Sequence, residues 1–215
     1  MIKIIHVIKK IKKIFFKNTQ TKEYLQFIED GGDRIIFENI KLNINSVIID
    51  GGGFNGEFTD EIIKKKFQKV YIYEPDKIFF EYLKKKYEFK ENIEILNYAL
   101  FNKKQNIILS ENSNASSIME NSKVGSMVEA VDILDEFKKY KNIDLLKLNI
   151  EGAEYEVISR LLKTQELTKI KYLLVQFHRE HDLNGTKFEK IFFEISKNYN
   201  VIFNYKYVWS LFIRK

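Results

Sequence analysis

Hydrophobic and polar positions alternate between two periods along most of the chain after residue 46. Short apolar runs predict buried strands, and segments with apolar residues at helical spacing follow most of them, such as Phe58, Ile62 and Phe67 after the first. The predicted strands are VIIDGG, KVYIYEPD, NIEILNYAL, DLLKLNI and KYLLVQFH. Strands that alternate with helices indicate a mostly parallel sheet covered by helices on both faces.

Two regions depart from this alternation. Residues 92–100 predict a single third strand, and the polar segment after it predicts a short hairpin turning within residues 102–106. SMVEAVDILDEF predicts a strand and then a helix that begins at Asp132 or Asp135. The last segment, NVIFNYKYVWSLFIRK, predicts two antiparallel strands that turn near Tyr207–Trp209. Most nucleotide-binding α/β domains lack such a terminal hairpin, so it is more specific than the alternation itself.

Length and composition exclude several classes of protein. The chain has 215 residues, of which 45% are apolar and 31% charged, and it is long enough for one well-buried domain. We predict a lead-in segment over residues 1–45 and a single domain over residues 46–215. No uncharged apolar run approaches the roughly 18 residues of a transmembrane helix. The absence of cysteine excludes disulfides, thiolate catalysis and cysteine-bound metals.

The net charge of +6 resides in residues 1–17, which hold six lysines and no acid. The remainder is formally neutral, so we expect no nucleic-acid partner. Ile4, Ile8, Ile11 and Phe15 recur at helical spacing and predict a basic amphipathic helix. We favour a helix packed on its own domain or on a partner, with lysines outward. The alternative is peripheral contact with an anionic membrane surface.

The turn in VIIDGGGFNGEF lies where α/β sheets bind ligands, beyond the carboxyl end of a strand. Gly51, Gly53 and Gly56 fit a dinucleotide pattern that is weak by itself. Asp50 and Glu57, however, would repel a pyrophosphate at this turn. The ammonium and sulfonium of S-adenosylmethionine suit an acid there far better.

The ends of the next two strands add to this site. Glu74 follows the second strand and can accept both ribose hydroxyls of an adenosine, while Asp76 is first a helix cap. An adenine would lie at residues 97–99. The predicted cofactor-binding residues are Asp50, Gly51, Gly52, Gly53, Asn55, Glu74, Pro75, Asn97, Tyr98 and Ala99. A tight connection without a ligand is the alternative for the turn alone.

Several segments resemble the FkbM-type family of S-adenosylmethionine-dependent methyltransferases. They are VIIDGGGFNGEFT, VYIYEPD, NYALFNKK, NASSIME, IDLLKLNIEGAEYEVI and LLVQFH, within residues 46–180. The resemblance implies a Rossmann-like class I methyltransferase fold with a mostly parallel seven-stranded sheet. It also implies O-methylation of a sugar hydroxyl in a glycan or another small molecule, with surface polysaccharide biosynthesis in the cytoplasm as the setting. Asn149 stands where the family usually carries Asp, which puts a metal-assisted or Asp-based mechanism in doubt.

Methyl transfer to a hydroxyl needs alignment and removal of one proton. Lys147, Asn149 and Glu151 alternate along a strand that should be apolar throughout. Glu151 is the first candidate for the general base, His178 is its rival, and Asn149 is the third catalytic candidate. Glu154 is expected to cap a helix, and Lys147 to pair with Glu154 or Glu151. We predict no metal site.

Other loop residues are candidates for contact with the methyl acceptor or the cofactor. Arg179 and His181 would contact the substrate, and Ser116 and Ser117 would close over the cofactor or lie in an exposed loop. Three other functions compete with the favoured one: a nucleic-acid methyltransferase, a non-catalytic cofactor-binding member and a nicotinamide dehydrogenase. The acids at the glycine turn weaken the last, and Asn149 keeps the non-catalytic alternative open.

Overall fold

A computed structural model of the chain describes residues 19–109 and 125–215. The predicted basic helix over residues 1–17, and Ser116 and Ser117, lie outside these ranges. The helices are α1 Thr19–Glu29, α2 Asp33–Asn39, α3 Glu57–Ile63, α4 Lys77–Lys86, α5 Ile133–Phe137, α6 Glu154–Lys163 and α7 Thr186–Asn198. The strands are β1 Val47–Gly51, β2 Lys69–Tyr73, β3 Ile93–Leu96, β4 Ala99–Phe101, β5 Gln105–Leu109, β6 Ser126–Asp132, β7 Ile143–Leu148, β8 Ile170–Val175, β9 Tyr199–Tyr205 and β10 Trp209–Arg214.

The main sheet has seven strands in the order β3-β2-β1-β7-β8-β10-β9. Its pairs are parallel except those of β10, which lies antiparallel between β8 and β9. The predicted parallel sheet and its terminal hairpin are therefore confirmed. The strand order reverses between β1 and β7, and the carboxyl ends of these two strands form the crevice where ligands bind in such sheets.

The predicted third strand is wrong in its extent, because the chain leaves the main sheet at Asn97. The Asn97 amide donates to the carbonyls of Glu74 and Pro75, both at 2.9 Å, and this long-range anchoring redirects the chain. The following residues form a second sheet of order β4-β6-β5. The predicted hairpin at residues 102–106 is also wrong, since β4 and β5 both pair with β6 and not with each other.

Alternate residues of the central strands point into two core layers. Ile49 and Leu146 pack with α5, α6 and α7, whereas Ile48 and Leu145 pack with α1 to α4. Helices thus cover both faces, as predicted. Phe27, Ile36 and Ile40 of the predicted lead-in are buried in the second layer, and the boundary at residue 46 stays a prediction. No helix within the described ranges is long and apolar enough to cross a membrane.

Candidate active site

The glycine turn after β1 passes between the ends of β2 and β7. The N–H groups of Gly52 and Gly53 donate to the Tyr73 carbonyl at 2.9 and 3.3 Å. Gly52 has a φ of 80°, and a Cβ on it would lie 1.9 Å from the Asn149 carbonyl oxygen. A Cβ on Gly53 would lie 2.3 Å from Ile72 Cγ2. Glycine is therefore required at both positions, because the turn is held against two neighbouring strands.

The buried side chain of Asp50 helps to hold this turn in place. Its carboxylate is 0% exposed, and it accepts from the Lys147 ammonium at 2.9 Å and from the Thr59 hydroxyl at 2.8 Å. The same ammonium donates to the carbonyls of Gly51 and Gly52 at 3.1 and 2.6 Å. Lys147 balances the charge of Asp50, and the pair positions the turn. Contact of Asp50 with a cationic ligand stays a prediction.

The expected partners of Lys147 were wrong for a related reason. Lys147 and Asp50 face each other across the parallel register of β1 and β7, so the strand pairing brings together two charges 97 residues apart. Glu151 and Glu154 lie beyond the end of β7 and make other contacts. Thr59, which completes the Asp50 site, carries no sequence signal beyond its position in α3.

Glu74 connects the end of β2 to the glycine turn. Its carboxylate accepts from the backbone N–H of Phe54 at 2.7 Å and from that of Asp76 at 2.9 Å. Burial raises the pKa of Glu74 to about 6, although these hydrogen bonds act in the opposite direction. Asp76 caps α4 by accepting from the N–H groups of residues 78 and 79, as predicted. Each Glu74 oxygen keeps a lone pair for a further donor.

The remaining predicted cofactor residues lie around this point. Pro75 and Tyr98 are partly buried, and Ala99 is buried as the first residue of β4. The Asn55 side chain folds onto Glu57, accepting from its N–H at 3.2 Å and donating to its carboxylate at 2.9 Å. Contact of these residues with an adenine or a methionine chain stays a prediction, while Asn55 and Asn97 have the structural bonds described.

A cavity of about 870 Å³ opens against the glycine turn. Gly52, Gly53 and Asn149 form part of its wall, and α2, α3 and Trp209 contribute much of the remainder. The Asn149 backbone N–H donates to the Gly51 carbonyl at 3.1 Å. Its side-chain Oδ1 is buried and has no hydrogen-bond partner within the described ranges. An unsatisfied acceptor beside a cavity fits a ligand that brings an N–H donor.

Residues that follow β7 and β8 form a carboxylate–imidazole–carboxylate cluster. His178 Nδ1 lies 2.9 Å from Glu154 Oε1, and its Nε2 lies 3.3 Å from Glu151 Oε2. Glu154 is 0% exposed and also accepts from the N–H groups of Ile150 at 2.7 Å and Gly152 at 2.8 Å. The structure thus brings together the two rival base candidates. It does not join Asn149 to them by any hydrogen bond recorded among the described residues.

The two carboxylates of this cluster determine the protonation state of His178. Burial lowers the pKa of His178, but hydrogen bonds and charge from Glu151 and Glu154 outweigh it and raise that pKa to about 10. His178 is therefore an imidazolium at neutral pH, unable to take a further proton. Glu151, whose side chain is 25% exposed, is the accessible carboxylate. The sequence predicted that Glu154 caps a helix or pairs with Lys147, and its contact with His178 was missed.

Two backbone features shape the entrance to the cluster. Glu151 has a φ of 54° and Gly152 a φ of 103°, so the chain reverses sharply after β7. The His181 ring packs directly on this reversal, since a Cβ on Gly152 would lie 2.3 Å from its Cδ2. The Tyr155 hydroxyl donates to the His178 carbonyl at 3.1 Å. His181, predicted on the acceptor side, therefore borders the Glu151 turn.

Sequence and structure comparisons agree on the class of this protein. The strand order and the ligand crevice are those of class I S-adenosylmethionine-dependent methyltransferases. Residues 52–203 match the family described as the methyltransferase FkbM domain, which is more than half of the chain. The chain belongs to the FkbM methyltransferase family. No curated protein matches it significantly.

Solved structures with low identity share the fold. An FkbM methyltransferase from Methylobacillus flagellatus aligns with a TM-score of 0.57 and 15% identity over 82% of this chain and 45% of that one. This chain therefore spans less than half the length of that protein. SMU.1697c, a proposed methyltransferase from Streptococcus mutans solved with SAH, aligns with a TM-score of 0.52 and 13% identity. The alignment covers 85% of this chain and 97% of that one. An rRNA methylase from Streptococcus thermophilus aligns with a TM-score of 0.50 and 12% identity, over 85% of this chain and 93% of that one.

Within the described ranges, no group of three or more histidine, aspartate and glutamate side chains is arranged to hold a metal ion.

Proposed function

We propose that this methyltransferase transfers a methyl group to a hydroxyl of a sugar, a glycan or another small molecule. The observation that carries the proposal is the Glu154–His178–Glu151 cluster, which presents one accessible carboxylate beside the ligand crevice. A hydroxyl must lose a proton as it is methylated, and a positioned carboxylate can accept it. An exocyclic base amine loses its proton more readily once it is methylated, so it has less need of such a base.

S-adenosylmethionine, as the donor, would supply an electrophilic methyl group on a sulfonium. The residues present fit it on two grounds. Gly52 and Gly53 line the cavity, and neither position has room for a side chain that would occupy ligand space. Asn149 Oδ1 lacks a donor that the ammonium of the ligand would bring. Glu74 would accept the ribose hydroxyls with the lone pairs left by its two backbone bonds, and Asn97, Tyr98 and Ala99 would border the adenine.

In this proposal each member of the cluster has a separate task. Glu154, fixed by two backbone N–H groups, orients the His178 ring through Nδ1. The imidazolium holds Glu151 through Nε2. Glu151 takes the proton of the acceptor hydroxyl while the new O–CH₃ bond forms and the S–CH₃ bond breaks. Glu151 acts as the catalytic base, and the other two residues are positioning residues.

The test is methyl transfer by the full chain from isotope-labelled S-adenosylmethionine. The acceptors are free monosaccharides, nucleotide sugars, oligosaccharides and a structured RNA, with product masses as the readout. Glu151→Gln should bind S-adenosylhomocysteine as the wild type does and lose roughly 10² to 10⁴ in rate. Label on the RNA and on none of the saccharide or nucleotide-sugar acceptors, or full activity of Glu151→Gln, would refute the proposal.

We also propose that the acceptor belongs to surface polysaccharide biosynthesis on the cytoplasmic side of the membrane. The six lysines of residues 1–17 support peripheral contact with an anionic surface. Mass spectrometry of surface glycans from cells with and without the protein tests the first part. Co-sedimentation with phosphatidylglycerol vesicles, with and without residues 1–17, tests the second. Unchanged glycans, or equal sedimentation of both forms, would count against the respective part.

A further inference from the structure

A second cavity, of about 840 Å³, lies at the edge of the main sheet opposite the candidate active site. It is bordered by the amino ends of β1, β2, β7 and β8 and by the carboxyl end of β10. Six cationic side chains line it: Lys69, Lys139, Lys141, Lys169, Lys171 and Arg214. Asp144 is the one acid in its lining, and its carboxylate accepts from the Val47 N–H at 3.1 Å. We call this cavity the amino-edge cleft.

Acidic partners balance only some of these cations. Lys69, Lys139 and Lys169 pair with Glu94, Glu136 and Glu166 at 3.4, 2.6 and 2.6 Å. Arg214 donates to the Thr168 carbonyl. Lys141 and Lys171 have no ion pair among the described residues. With Asp144 counted, four carboxylates face six cations, so the cleft keeps an excess of two positive charges.

This excess is a local property of the amino edge. The cavity at the glycine turn has five acidic and four cationic residues in its lining. Residues 18–215 are formally neutral as a whole, so the excess at one edge reflects segregation of charge. Helix carboxyl termini attract cations, and this accounts for Lys139 just after α5. It does not account for Lys69, Lys171 and Arg214, which lie on strands.

We propose that the amino-edge cleft binds a phosphorylated small molecule through its phosphate groups. Its volume falls in the range of small-molecule sites, roughly 300 to 1,000 Å³. The Tyr71 and Tyr140 rings, with centroids 4.8 Å apart, form an apolar part of the wall. The cations come from separate chain segments around one cavity, and this geometry suits a compact oligoanion. An extended nucleic acid would instead favour a stripe of cations along the surface.

The experiment is calorimetric titration of the full chain with inorganic diphosphate at constant ionic strength. Lys141→Gln/Lys171→Gln removes the two cations without ion partners and leaves every carboxylate of the cleft paired as before. The matched control, Lys163→Gln/Lys190→Gln, removes two exposed lysines elsewhere with the same change of net charge. We expect the cleft variant to weaken diphosphate binding about tenfold or more, and the control variant by less than about twofold.

Further measurements keep the result unambiguous. Both variants should keep the wild-type unfolding midpoint and affinity for S-adenosylhomocysteine, so a failure of the proposed methyl transfer would leave this test intact. Absence of diphosphate binding at millimolar concentration overturns the proposal. Equal weakening by both double variants overturns it as well. Tighter binding of a single-stranded RNA oligonucleotide that depends on the same two lysines would also overturn it, in favour of a nucleic-acid surface.

Discussion

Replacing Lys147 with Met should expose how strongly the glycine turn depends on one buried charge pair. Methionine keeps the length of the side chain but removes the ammonium that contacts Asp50 at 2.9 Å. The two side chains are 4% and 0% exposed, so water cannot replace the lost partner. Breaking such a buried pair from one side costs about 3–5 kcal/mol. The carbonyls of Gly51 and Gly52 lose a donor as well.

That loss is a large part of the stability of a typical domain, about 5–15 kcal/mol. For a chain of this size, each kcal/mol lowers Tm by about 2–4 °C, so Lys147→Met should melt roughly 6–20 °C lower.

A double-mutant cycle measured by urea unfolding tests this reasoning. Asp50→Asn keeps an acceptor for Thr59 while removing the charge, so Lys147→Met/Asp50→Asn should recover much of the loss. The matched cycle uses the exposed pair Asp135 and Lys138, whose charged atoms are 2.7 Å apart, and should show no measurable coupling. A cost below about 1 kcal/mol for Lys147→Met, or a double variant no better than additive, would refute the assigned role.

Three further predictions concern Gly52 in the glycine turn, Glu74 after β2 and His178 in the cluster with Glu151 and Glu154. Gly52→Ala should unfold more readily than Gly185→Ala and should lose S-adenosylhomocysteine binding. The two glycines have similar φ values, 80° and 75°, but a Cβ on Gly52 would lie 1.9 Å from a backbone oxygen, whereas the atom nearest to a Cβ on Gly185 is 3.5 Å away. Equal unfolding midpoints would contradict this. Burial raises the pKa of Glu74 to about 6, so the carboxylate that we propose accepts the ribose hydroxyls is lost below that pH. Calorimetry should then show S-adenosylhomocysteine affinity falling by roughly tenfold per pH unit below 6, and Glu74→Gln should abolish this dependence; a slope that survives the substitution would argue against it. The neighbouring carboxylates raise the pKa of His178 to about 10 from an unfolded value near 6.5, so its stabilisation is complete below about pH 6.5 and disappears as the pH rises through 10. Urea unfolding should show the difference between wild type and His178→Gln decreasing from pH 6.5 to 10.5, whereas a constant difference would contradict the assigned pairing.

Much of the main sheet could be predicted because its determinants are local. The period of apolar residues set the helices and strands, Asp132 capped α5 as one of two predicted starts, and the terminal hairpin had no competing helix pattern. The second sheet could not be predicted in the same way. Residues 92–100 are uniformly compatible with one strand, and only the Asn97 contacts with Glu74 and Pro75 carbonyls bend the chain out of the sheet.

The sequence located the polar residues at the strand ends, but it did not predict which of them form ion pairs. Strand ends that carry polar residues identified Glu74, Glu151 and His178, but charge pairing depends on strand register. Asp50 and Lys147 lie opposite each other in β1 and β7. A signal was present, since Asp50 is the one charged residue of β1, and Lys147 interrupts a run of leucines in β7. Two such residues in neighbouring strands are best explained as partners.

The same pairing gives a physical reason for the amide at Asn149. The residue lies one position beyond β7, and its backbone contacts Gly51, the neighbour of Asp50. Lys147 is already engaged by Asp50 and two carbonyls, so a carboxylate at this position would lack a cation and would have to be partly buried without one. An amide at Asn149 avoids that cost. In the proposed reaction the base is Glu151, and its charge is balanced by His178, which follows β8.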